Sequence, residues 1–109
     1  MANTYKNSAK KINSTNETVV YSGVSNGTAL IRSIYISNIH GSTSASINVY
    51  WNDNTDNEEY HIIKNVTIGT GTSMQPLTEP IVLEAGDTIK VQAGTADIFE
   101  VTVSVLEVT

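Results

Sequence analysis

The chain of 109 residues contains no cysteine, which excludes both a disulfide-stapled fold and a thiolate metal cluster. No stretch approaches the ~20 consecutive apolar residues that span a bilayer, and the opening MANTYKNSAKKINS lacks the apolar run of a signal peptide. Synthesis in the cytoplasm with no export address and no membrane partner is therefore expected. Charged residues make up 16% of the chain, well below the ~25% of an average soluble domain, and Thr, Ser and Asn take their place. Helical periodicity of useful length is also missing. Basic residues are few: beyond Lys6, Lys10 and Lys11 there are only Arg32, Lys64 and Lys90. A phosphate backbone needs a broad basic face, so nucleic acid is not an expected partner.

What is present favours extended chain, because Thr, Val and Ile branch at Cβ and suit a pleated surface. In SASINVYW, Ala45, Ile47, Val49 and Trp51 alternate with Ser46, Asn48 and Tyr50, the period-2 signature of a half-buried strand. ALIRSIYISNI loads both faces, with Leu30, Ile34 and Ile36 on one and Ile31, Tyr35 and Ile39 on the other, which predicts a bulge or cover on both sides. With HGSTS between them, these two read as a hairpin. Further strands are predicted at ETVVYS, at EYHIIK running into NVTI, on both sides of Ala85-Gly86, and at FEVTVSVLEV, where Phe99, Val101, Val103 and Val105 share a face and the phase slips near Val105. Asn26-Gly27 is expected to turn through positive φ, and Asp87 to bond back to its own turn. Pro76 and Pro80 bracket a segment that cannot be a central strand, because proline lacks the ladder donor.

Seven to nine short strands separated by frequent turns predict an all-β fold: a two-sheet antiparallel β-sandwich, either jelly-roll or immunoglobulin-like. Residues 17–109 are read as its single domain. Residues 1–16 hold three lysines and no acid, and are read as a polar, basic arm lying outside it. Such an arm suits an acidic protein surface, lying across it or adding a strand to its sheet edge, and removing residues 2–12 should then leave the domain folded.

The densest chemistry is WNDNTDNEEYH, with Asp53, Asp56, Glu58 and Glu59 beside Tyr60 and His61. Counting from Asp53, the EF-hand positions fall on Thr55, Asn57 and Glu58, with no Gly for the sharp turn, so that match fails. Acids gathered at one hairpin tip are solvated and make poor general acids, and the cluster is read as a polar loop that keeps its turn in water. His40 and His61 have no metal-ligand spacing to a second ligand, no serine lies in a nucleophile elbow, and the glycines fit turns better than phosphate loops. No catalytic residue, metal or cofactor is therefore assigned. Tyr35 and Tyr50, placed outward on neighbouring strands, could form a small patch for a protein or a sugar ring.

Taken in order, MANTYKN, TVVYSG, SIYISNIHGSTSASINVYW, EYHIIKNVTI, PIVLEAGDTIKVQAG and VTVSVLEV resemble small virion structural proteins of tailed bacteriophages, especially marine ones, over nearly the whole chain. Family members commonly have a Pro-containing turn where this chain has YSGVSNGT and IGTGTS. The resemblance implies a non-enzymatic virion component made in the host cytoplasm: foremost a head decoration or cement protein, alternatively a neck or tail component or a receptor- or glycan-binding module on a tail fibre. It implies the major capsid protein or other virion proteins as partners, and a homo-oligomer such as a trimer on the particle. The partner-contacting residues expected are Tyr5, Lys6, Lys10, Lys11, Tyr35 and Tyr50.

Overall fold

The computed structural model describes residues 2–109, which form nine strands: β1 (Asn3–Ile12), β2 (Thr18–Ser22), β3 (Thr28–Asn38), β4 (Ala45–Asp53), β5 (Glu58–Ile68), β6 (Ser73–Met74), β7 (Ile81–Leu83), β8 (Thr88–Ala93) and β9 (Phe99–Val108). Two antiparallel sheets pack face to face. The first has the order β1-β9-β3-β6, with β7 also paired to β3, and the second runs β2-β8-β4-β5. Four nested pairings explain both orders. β4 pairs with β5, β3 with β6 and β7, β2 with β8, and β1 with β9, as in one long hairpin. Rolling that hairpin up adds the β3–β9 and β4–β8 contacts. This is the jelly-roll arrangement, which decides between the two sandwich topologies left open by strand spacing.

The core is the set of alternate residues that the two sheets turn toward each other. Ile31, Ile34 and Ile36 of β3, Ile47 and Val49 of β4, Ile89 and Val91 of β8, and Phe99 through Val105 at every second position of β9 are buried, with Leu83 from β7. Trp51 packs at the rim of this cluster. The mixed pattern of β3 is resolved by a bulge at Arg32: Ile31 faces Val105 while Ser33 faces Ser104, so one extra residue lets Ile31 join Ile34 and Ile36 on the inner face. The disturbance expected near Val105 therefore lies on the partner strand. β9 itself alternates without a slip to Val108 and places Glu107 inward.

Three expectations change. β3 and β4 do not form a hairpin; they belong to different sheets, and residues 39–44 carry the chain across the sandwich. Local spacing is the same for a turn that pairs its strands and one that crosses between layers. Residues 3–12 are not an arm outside the domain but β1, in unbroken register with β9 from Asn3↔Val108 to Ile12↔Phe99, with Ile12 buried in the core. Gly27 does not need positive φ, which is found at Gly71 and Gly86. It is small because a Cβ there would stand 2.2 Å from the carbonyl oxygen of Val108.

Candidate functional site

The acidic stretch closes the β4–β5 hairpin, and its carboxylates organise that tip. Asp53 accepts from the Thr55 N–H (3.0 Å), while Asp56 accepts from the Glu58 N–H (3.1 Å) and the Tyr60 hydroxyl (2.8 Å). That hydrogen bond raises the Tyr60 pKa above its ordinary value. Behind the tip, the fully buried Asp87 accepts from the N–H groups of Asn54 and Glu84 and from the Trp51 indole, tying the β7–β8 turn to the hairpin. Its bond to Glu84 N is the turn closure expected from sequence. Among the described residues, no three His, Asp or Glu side chains converge in a way that could hold a metal ion. His40 Nδ1 accepts from the N–H groups of Ser42 and Thr43 and so shapes the crossover, and His61 lies against the Tyr50 ring with centroids 4.5 Å apart.

The two outer faces differ sharply. On the second sheet, Lys90 lies 3.1 Å from Glu59 and 3.7 Å from Glu17. Lys90 holds the Glu59 carboxyl below its ordinary pKa, and a hydrogen bond with Glu59 raises that of Glu17. Tyr50 is on this face but only 6% exposed, and its hydroxyl donates to Gln92 Oε1 (2.8 Å). Tyr35 is 53% exposed on the outer face of the first sheet. The two tyrosines therefore lie on opposite sides of the molecule and share no patch. The cause is the crossover at residues 39–44.

Across the first sheet runs a row that sequence reading missed. Tyr5 is opposite Leu106, Leu106 opposite Leu30, and Leu30 opposite Val82, all pointing outward. Three strand spacings make this row roughly 14 Å long. Its ends, Tyr5 and Val82, are 69% and 54% exposed. The guanidinium of bulge residue Arg32 stands 5.3 Å from the centre of the Tyr5 ring, a cation–π contact that fixes the ring at the sheet margin. Pairing register alone assembles the row, so no local motif announces it.

The predicted lysines sort by strand parity. Lys6 points inward at the open margin of the sandwich and lies 3.1 Å from Glu107. Glu107 also accepts from the Tyr21 hydroxyl at 2.5 Å. This trio joins β1, β9 and β2 across the two sheets. The bond from Tyr21 and the nearby Lys6 hold the Glu107 carboxyl below its ordinary pKa despite burial, while burial first and Glu107 second push the Tyr21 phenol up. Lys11 donates to Glu100 at 2.5 Å. Lys10 forms no ion pair with any described carboxylate and borders two shallow grooves of about 290 and 320 Å³, one over β9 beside Val101 and Thr102, the other facing Val19–Ser22.

A scan against protein-family models gives no match, and neither does a comparison with curated proteins. Among solved structures, a chain of the Bacillus endospore appendages, described as a novel family of disulfide-linked pili, is similar in fold. Its TM-score is 0.57 at 13% identity, with 96% of this chain and 87% of that one covered. At that identity the likeness is one of fold.

Proposed function

We propose that the chain is a non-enzymatic structural protein of a virion, a decoration or cement protein that attaches to the head through the outer face of its first sheet. The observation that carries this reading is the Tyr5–Leu106–Leu30–Val82 row. An exposed apolar strip on a sheet face marks an interaction surface; the Lys11–Glu100 ion pair on the same face lies at the far end of β1 from Tyr5, whereas the outer face of the second sheet holds Lys90 between Glu17 and Glu59. The sequence resemblance supplies the setting, with the major capsid protein or another virion protein as partner. The likeness to the endospore appendage chain adds a similar fold drawn from another protein assembly. With no cysteine, this chain has no access to the disulfide links for which those pili are described, and the attachment proposed here rests on surface contact. Many copies on a symmetric particle let a modest patch hold each one in place.

Co-sedimentation of the purified chain with virions stripped of it tests the reading, and cryo-EM of the reassembled particle gives position and copy number. Val82→Glu combined with Tyr35→Glu changes two exposed side chains, so the melting temperature is expected to hold within a few degrees. Retention on particles is expected to fall at least about tenfold, equivalent to ~1.4 kcal/mol. An unmodified chain that stays in the supernatant would refute the proposal.

A further inference from the structure

Each sheet has two edges, and three of the four are blunted. β5 is broken by irregularities on either side of Ile63. β2 is five residues long and shifts register between Val19 and Tyr21. The β6/β7 edge consists of two- and three-residue strands separated by the segment holding Pro76 and Pro80. Such features are how sheets avoid adding foreign strands. β1 has none of them: it is ten residues long, free of bulges and free of proline.

The register shows which of its backbone groups are available. Ala2 and Thr109 exchange both N–H···O bonds, so in the unbroken antiparallel ladder every even-numbered residue of β1 is bonded to β9. The N–H and C=O groups of Asn3, Tyr5, Asn7, Ala9 and Lys11 therefore point away from the sheet. Beside them stand three lysines and no carboxylate of β1 itself: Lys6 and Lys11 are paired with Glu107 and Glu100 of β9, and Lys10, between its two grooves, forms no ion pair with any described carboxylate.

We infer that the outer edge of β1 is a strand-addition site for an extended acidic segment of another protein. Two copies of β1 placed edge to edge would gather six lysines and no acid on one two-stranded ribbon, offset only in part by Glu100 and Glu107 of β9, which disfavours self-pairing. The remaining edges of a second copy are the blunted ones, so the chain offers β1 no good mate of its own. A segment with carboxylates four residues apart would meet the unpaired Lys10 and, shared with Glu107, Lys6 on the inner side of the added strand. An apolar residue on its other side would extend the row that begins at Tyr5. This deepens the attachment reading and rests on it for the source of the segment.

The probe is a ten-residue peptide of alternating Thr and Val with Glu at two positions four apart, titrated into the full chain and followed by amide NMR. Below roughly 1 mM peptide, the amides of Asn3, Tyr5, Asn7, Ala9 and Lys11 are expected to shift and to exchange more slowly. The same peptide with Lys in place of Glu should bind at least about tenfold more weakly. Ala9→Pro deletes one outward N–H and leaves the bonds to β9 intact, so it should keep the fold and lose the binding. Absence of shifts, or equal binding by the Lys peptide or by Ala9→Pro, overturns the inference. So does a dimer of the chain alone, seen by sedimentation and abolished by Ala9→Pro, since that assigns the edge to self-pairing. If Ala9→Pro still binds virions as the unmodified chain does, strand addition fails while attachment through the sheet face stands. If the unmodified chain binds no virions, the function fails and the peptide titration still reads the edge.

Discussion

Glu107 stands where alternation calls for a core residue, four positions beyond Val103 on the same face of β9. Its charge is tolerated because Tyr21 and Lys6 reach it at the open end of the sandwich. The trio ties stability to pH at both extremes. Glu107 titrates below its ordinary value of 4.5 when folded, so its contribution is present above pH 4.5 and is lost as pH falls through the folded value. Tyr21 is displaced the other way from 10.0, so its contribution is present below pH 10.0 and is lost as pH rises beyond it toward the folded value. In urea unfolding across the pH range, Glu107→Gln is expected to flatten the acid limb of the stability curve. Tyr21→Phe should flatten both limbs and cost roughly 1.5–3 kcal/mol at neutral pH, as for a hydrogen bond to a charged group. Curves parallel to that of the unmodified chain would show that the trio carries no such linkage. The phase slip expected near Val105 would have taken Glu107 off this face; the unbroken alternation of β9 keeps it with Val101, Val103 and Val105, and its partners come from β1 and β2, which no spacing rule reveals.

At the scale of elements, β1 is the instructive case. Its inward positions are Thr4, Lys6, Ser8, Lys10 and Ile12, with one apolar side chain among them, so the alternation that marks the other strands is missing. What makes it a strand is β9, whose backbone would otherwise be an open edge over Val101, Val103 and Val105. Removing residues 2–12 strips a ten-residue ladder and the buried Ile12 together. The loss expected is at least about 3 kcal/mol, from the burial of one large aliphatic side chain and the exposure of its neighbours. At ~4 °C per kcal/mol this lowers the melting temperature by about 12 °C or more, measurable by calorimetry. A truncated chain melting at the same temperature would show that β1 adds nothing to the fold. β3 gives the opposite lesson. Its two-faced apolar pattern did announce a bulge, because Ile31, Ile34 and Ile36 can share one face only if an extra residue lies between them.

The described residues measure 47 × 27 × 23 Å, with the hairpin tip at residues 54–57 and the paired Ala2 and Thr109 beside the ends of β1 and β9. The reciprocal Ala2–Thr109 bonds place these two residues within reach of a short linker. The tip is exposed and bonded mainly within itself beyond Asn54. A circular permutant of residues 2–109 with Thr109 linked to Ala2 and the chain opened between Asp56 and Asn57 keeps every nested pairing of the jelly roll. It is expected to give the circular dichroism spectrum of the parent and to fold, with the bonds that Asp56 accepts from the Glu58 N–H and the Tyr60 hydroxyl put at risk. A permutant that remains unfolded would show that the β4–β5 closure must be continuous for the hairpin to roll up. Because most pairings join distant parts of the chain, folding on the millisecond-to-second scale is the expectation for parent and permutant alike.

Composition and period-2 alternation by themselves determined an all-β sandwich, most of its strands, the inward faces of β4 and β9, the Asp87 turn and the role of WNDNTDNEEYH as the polar end of a hairpin. Each of these depends on residues close together in the chain, where burial on one face writes a readable pattern. The jelly-roll order, the placing of Tyr35 and Tyr50 on opposite faces, β1 as a sheet edge and the Tyr5–Leu106–Leu30–Val82 row were decided by tertiary structure. They depend on which strand pairs with which and on the register of that pairing, fixed by the collective packing of two sheets across a shared core rather than by any local stretch of sequence.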